Sequence, residues 1–152
     1  MKKTAILPII MLLSWLGISD VAAQQAEQTE EPIAFKVDVW EMLPLRYQSR
    51  MLSSGYSVDV HNDSVFCYLP YMGQVQTPEF DNSGLTFERP LLAFKSAKGK
   101  KGKTNIAFVC RKNMVTYQFN LTVFPNGRCS IRLTPSNADS IGYEGELVDT
   151  TM

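Results

Sequence analysis

Over residues 103–135 apolar and polar side chains alternate with a period of two, interrupted only at 111–114 and 124–128. In the middle run Val115, Tyr117, Phe119, Leu121 and Val123 share one face, and Thr116, Gln118, Asn120 and Thr122 share the other. That is the pattern of a strand with one face on a core and the other in water. With 111–114 as the first turn, Cys110 is expected opposite Val115, Phe108 opposite Tyr117, and Ile106 opposite Phe119. The second turn is more restrictive. A loop of Pro125, Asn126 and Gly127, with Gly127 left-handed, sets Phe124 opposite Arg128. Cys129 then meets Val123, Ile131 meets Leu121, and Leu133 meets Phe119. A two-residue loop would slip the register by one and turn Arg128, Ser130 and Arg132 toward the core. The pattern predicts a three-stranded antiparallel meander.

The same period continues elsewhere. Phe35, Val37 and Val39 alternate with Lys36, Asp38 and Trp40 in 33–43, a strand that Pro44 ends. Residues 45–54 fit neither a strand nor a helix period and read as irregular. Tyr56, Val58 and Val60 alternate, as do Val65, Cys67 and Leu69 after the turn. An Asn62-Asp63 loop pairs Val60 with Val65, Val58 with Cys67, and Tyr56 with Leu69. Residues 70–84 form a long loop, of a kind that often carries function. Segments 85–88 and 91–96 read as two short strands about Pro90, 97–102 as a glycine-lysine tip, and Ile141, Tyr143 and Leu147 as a last strand. Roughly eight or nine sequential strands predict an all-β, antiparallel up-and-down meander, closed or partly closed into a barrel, which removes exposed edges. A two-sheet sandwich is the alternative.

The start of the chain changes the compartment. A basic Met1-Lys2-Lys3, an apolar run over 5–17 and small residues before Ala23 have the layout of a secretory signal peptide. The run is shorter than the ~20 residues that span a bilayer. Cleavage after Ala23 would place the chain in the periplasm or outside the cell. Residues 24–32 then form an acidic, flexible leader, and 33–149 a single β domain. Removing 1–23 leaves 13 basic and 14 acidic residues, a balance that points to neither nucleic acid nor an anionic membrane.

The run at 56–73 (YSVDVHNDSVFCYLPYMG), the lysine-rich tip, and the closing FPNGRCSIRL and SIGYEGEL resemble a family of exported Bacteroidetes proteins, domain of unknown function 4251. The likeness covers most of 34–148. Its most specific pieces are Asp63-Ser64-Val65, Leu69-Pro70-Tyr71 with Gly73, and Tyr143 with Gly145. Residues 45–54 match least. The resemblance implies an envelope-located, β-rich domain with no assigned activity, and it supplies no catalytic residues. Asp63-Ser64-Val65, Asp139-Ser140-Ile141 and Asp149-Thr150-Thr151 look like sites that exported Bacteroidetes proteins use for O-glycosylation, which marks Ser64, Ser140 and Thr150.

Chemistry is sparse. The single histidine, His61, falls at a hairpin turn, where a solvent-facing role is the simpler one. One histidine and three scattered cysteines give a transition metal nothing to build on. Glu79 with Asp81, in an oxygen-rich stretch that lacks the pattern of a calcium loop, and Glu144 with Glu146, most simply solvated surface, are the paired carboxylates. No enzyme, cofactor or metal is therefore expected. Cys67, Cys110 and Cys129 face the apolar side of their strands and are expected as free thiols rather than a disulfide. In the register above, Cys110 and Cys129 lie about 25 Å apart, far beyond bridging distance. Lys95, Lys98, Lys100, Lys101 and Lys103 form one basic cluster with no aromatics interleaved, a solvated tip. Tyr68, on an outward strand face, with Tyr71, Met72 and Phe80 in the long loop, are the candidate binding residues. They would either cover a ligand or fold down as a plug. The expected function is a non-catalytic binding module for a small apolar ligand or an envelope partner. The alternative is a structural or inhibitory protein acting through its outer surface.

Overall fold

Nine strands, each antiparallel to its neighbours, form a single sheet in the computed structural model, which describes residues 34–75 and 84–151. In chain order they are β1 (Ala34–Pro44), β2 (Arg50–Met51), β3 (Ser57–His61), β4 (Ser64–Leu69), β5 (Leu85–Lys98), β6 (Thr104–Lys112), β7 (Val115–Val123), β8 (Arg128–Pro135) and β9 (Ile141–Thr151). β1 pairs with β9 as well as with β3, so eight strands close into a barrel and β2 is an extra strand beside β1. Closure excludes the sandwich. The expected signal peptide, the leader and Phe80 lie outside the described residues.

Alternation places the core. Val58 and Val60, Val65 and Cys67, Ile106 and Phe108, and Phe119 and Leu121 all point inward and are buried. Among the described residues no polar or charged side chain is buried with them. The interior is filled by rings: Phe108 stacks on Phe119 with centroids 4.7 Å apart, and Phe87 meets Tyr117 at 5.0 Å. An eight-strand barrel is just wide enough for side chains to fill in this way.

Two turns fall where the polar residues place them. β3 and β4 join through Asn62-Asp63, with Val60 opposite Val65 and Val58 opposite Cys67. β7 and β8 join through Pro125-Asn126-Gly127, with Val123 opposite Cys129 and Leu121 opposite Ile131. Gly127 has φ 88°, its N–H donates to the Phe124 carbonyl at 2.9 Å, and the Asn126 side chain accepts the Arg128 N–H at 3.1 Å.

Other expectations are corrected. The β6–β7 turn is only Asn113-Met114, so Cys110 faces Tyr117 rather than Val115, and Phe108 faces Phe119. Asn113 takes φ 57°, as Asn62 takes 55°, because asparagine tolerates the left-handed conformation that a two-residue hairpin turn needs. The slip is by two residues, so every side chain keeps its face. The two strands expected about Pro90 are one 14-residue strand, β5. Pro90 lies opposite Ser64 where β4 begins, and a bulge between Leu91 and Ala93 follows it. The tip at 97–102 is shorter than expected, with β5 running to Lys98 and a single 3-10 turn over Lys100–Gly102. A second bulge falls at Trp40, between Val39 and Glu41, and shifts the buried phase from Val39 to Met42 and Pro44. Trp40 turns outward, and the Arg128 guanidinium lies 5.7 Å over its ring. Within 45–54, Arg50–Met51 forms the short β2.

Candidate functional site

The strand directions put the 45–56 crossover, the segment after Leu69, and the β6–β7 and β8–β9 turns on one rim of the barrel. There the segment 70–75 is tied across the opening. The Tyr143 hydroxyl, rising from the buried face of β9, donates to the Pro70 carbonyl at 2.7 Å. The Tyr71 hydroxyl donates to the Asp139 carbonyl at 2.8 Å. Asp139 and Gln74 exchange two more bonds: the Gln74 N–H reaches the Asp139 carboxylate at 3.1 Å, and the Asp139 N–H reaches the Gln74 carbonyl at 3.0 Å. Val75 bridges to Ala138 beside them. Arg46, from the crossover, holds the same carboxylate at 2.9 Å.

The electrostatics follow from these contacts. The Arg46 hydrogen bond and the Gln74 N–H hold the Asp139 carboxyl below its usual range. Burial pushes the Tyr71 hydroxyl up to about 12 and raises Tyr143 well above its ordinary value. Gly73 permits the arrangement, since a Cβ there would run into the Tyr71 hydroxyl. Gly145 is needed for a different reason: a Cβ would strike the Asp38 carbonyl oxygen and sit 2.9 Å from Val37 Cγ1. Two of the three resemblance motifs, Leu69-Pro70-Tyr71 with Gly73 and Tyr143 with Gly145, thus bind this segment to the barrel and let β9 approach β1.

The expected binding residues do not form one cluster. Tyr71 and Met72 are half-buried and pack against the core, as a plug does. Met72 also borders a shallow depression of about 570 Å³ with Tyr47, Gln48, Ser49 and Arg50. Tyr68 points outward from β4 at 50% exposure and stacks on Tyr56, centroids 5.1 Å apart and planes 18° apart. Phe66, two positions earlier on the same outer face, is 44% exposed. Tyr56, expected on the apolar face with Val58 and Val60, packs partly against the core and also stacks on Tyr68, and sequence reasoning missed Phe66 as its outer-face neighbour. The signal for Phe66 was a second aromatic beside Tyr68 at a position where the alternation calls for a polar residue. Of the residues marked for glycosylation, Ser64 starts β4 half-buried, the Ser140 hydroxyl lies 3.2 Å from that of Thr134, and Thr150 pairs with Phe35.

The remaining reactive groups are separate. Cys67, Cys110 and Cys129 are buried free thiols. Cys110 faces Tyr117 and Cys129 faces Val123, six residues apart on β7 and so about 20 Å apart. Burial pushes Cys110 and Cys129 up to about 12 and Cys67 well above 9.0. His61 is exposed at the β3–β4 turn. Glu144 accepts the Ser130 hydroxyl at 2.9 Å, and Glu146 lies opposite Arg128. Lys103 sits 5.1 Å over the Phe124 ring, an aromatic supplied by the neighbouring turn. Among the described residues no three His, Cys, Asp or Glu side chains group as a metal site, and no helix is long and apolar enough to cross a membrane.

Comparison with known proteins agrees with this fold. The family model described as a domain of unknown function (DUF4251) matches residues 20–147. The chain is similar to a crystal structure of a DUF4251 family protein from Bacteroides eggerthii, at 18% identity and a TM-score of 0.60. The match covers 84% of this chain and 83% of that one. No curated protein matches.

Proposed function

The chain belongs to the DUF4251 family, and from that premise we propose that it is a non-catalytic binding module of the cell envelope that meets a protein partner on its outer wall. The observation that carries this is the aromatic strip of Tyr56, Tyr68 and Phe66, with Tyr68 and Phe66 about half exposed on the β3–β4 face. Rigid aromatics supply much of the binding energy of protein interfaces at low ordering cost. The ring-filled interior favours an outer-wall partner over an enclosed apolar ligand. The layout of residues 1–23 supports export with cleavage after Ala23, and the same compartment would make Ser64, Ser140 and Thr150 available to glycosylation.

Native mass spectrometry of the protein purified from its own host tests the proposal. The expected species begins at Gln24 and carries a bound protein that Phe66→Ser with Tyr68→Ser releases. A bound small apolar molecule kept by both proteins, or a partner unaffected by the substitutions, would contradict it.

A further inference from the structure

β5 changes partner along its length. From Leu85 to Pro90 it pairs with β4, and from Leu91 to Lys98 with β6. On the β4 side the Leu91 N–H donates to the Asp63 carbonyl at 2.7 Å, at the tip of the β3–β4 hairpin. Past that point, residues 92–98 have no strand on that side among the described residues. The closed barrel thus keeps an open edge here, and an unpaired edge is a template for another strand.

Charge says what kind of strand. Between Glu88 and Asp139 the sequence holds ten of its fifteen basic residues and no acidic one. Lys95 and Lys98 lie on the open edge itself, and Lys100, Lys101 and Lys103 lie in the turn that follows. Beside the edge, on the outer face, a shallow depression of about 360 Å³ is bordered by Lys95 and Asn120 and floored by the small Ala97 and Ala107. Leu92, 60% exposed, adds an apolar contact at the start of the open stretch.

We propose that the 92–98 edge of β5 accepts an extended acidic segment of a partner protein as an added strand. The backbone of the segment meets the open N–H and C=O groups, and its acidic side chains lie against Lys95 on the outer face and Lys98 on the opposite one. A second copy of this chain is a poor occupant, because two lysine-bearing edges would face each other and like charges opposite one another are destabilising. A polyphosphate or other polyanion would meet the lysines and leave the backbone groups unpaired. The site uses residues other than those of the Tyr56–Tyr68 strip and does not depend on it.

The test uses the intact chain and a synthetic peptide of about ten residues of valine and glutamate, with glutamate at both odd and even positions, long enough to cover the edge at ~3.3 Å per residue. At low salt the peptide is expected to bind, to slow amide exchange at 92–98, and to weaken as salt rises. Lys95→Glu with Lys98→Glu should weaken binding at least about tenfold while leaving the melting temperature unchanged, since both side chains are exposed. Should that pair fail to fold, Lys95→Gln with Lys98→Gln is expected to weaken binding by a smaller factor. A control peptide with proline at alternate positions cannot make the ladder and should not bind. Four results would overturn the proposal: no binding, equal binding of the proline peptide, equal binding of polyphosphate, or protection of 92–98 that rises with protein concentration alone. The last is the mark of a second copy.

Discussion

The hydroxyl of Tyr143 on β9 donates to the carbonyl of Pro70, 73 residues earlier, at 2.7 Å. The phenol is buried in the barrel, so this bond fastens the segment after β4 to the wall farthest from it in sequence. Tyr143→Phe keeps the ring and leaves the Pro70 carbonyl without its donor. A loss of about 1–3 kcal/mol is expected, the cost of an unmet buried polar group. Urea denaturation measures it, and faster amide exchange at 71–75 should accompany the loss.

Gly145→Ala is expected to destabilise by about 1–3 kcal/mol or more, because the added methyl meets the backbone of β1 rather than a movable side chain. The Asp38 carbonyl and Val37 Cγ1 stand where that methyl would go. Gly127→Ala is a useful contrast: its φ of 88° is strained for alanine, but nothing lies closer than Glu146 Oε1 at 4.0 Å. Thermal melts of the two variants should place Gly145→Ala lower.

High pH should weaken the fold. Folded Cys110, Cys129 and Tyr71 hold their protons up to about 12, against ordinary values of 9.0 for the thiols and 10.0 for the phenol. The folded state therefore binds more protons than the unfolded state between those limits, and stability falls as pH rises through them. The contribution is complete below about pH 9 and is lost progressively toward pH 12. Urea midpoints at pH 8, 10 and 11 should decline in that order. At pH 8 the native thiols should resist alkylation, and all three should label once denatured.

Low pH acts on a smaller unit. Arg46 and the Gln74 N–H depress the Asp139 carboxyl below 3.8, so the stability it contributes is present above that value and is lost as pH falls through the folded one. The protection factor of the Gln74 amide against exchange should fall below about pH 4 in the wild type. In Asp139→Asn that protection should be reduced and no longer depend on pH in this range, since the charged acceptor is gone.

Much of the barrel was written in local pattern. Two turns carried their own chemistry: Gly127 for a left-handed corner, and Asn62 for a two-residue hairpin. Asn113 makes a turn like that at Asn62, yet its neighbours Arg111 and Lys112 are polar enough to pass for loop. The resulting slip of two residues moved partners but not faces, which is why the core residues were legible and one register was not. Pro90 reads as a strand end because it lacks an N–H. It survives inside β5 because β4 ends opposite it and a bulge follows. The rim was less legible. Asp139 draws Arg46 from 93 residues away and Gln74 from 65, and no spacing in the sequence announces such a meeting. The open edge was hidden for a similar reason: the lysine cluster was plain, but only pairing shows which side of β5 is bare.

Tyr71 packs against the core and closes this end of the barrel rather than waiting at its mouth. The urea midpoint of Tyr71→Ala tests that directly. A half-buried ring that also donates to the Asp139 carbonyl should cost about 2–3 kcal/mol on removal, somewhat less than the 3–5 of a fully buried aromatic. An unchanged midpoint would contradict the plug and return Tyr71 to the list of residues free to meet a ligand.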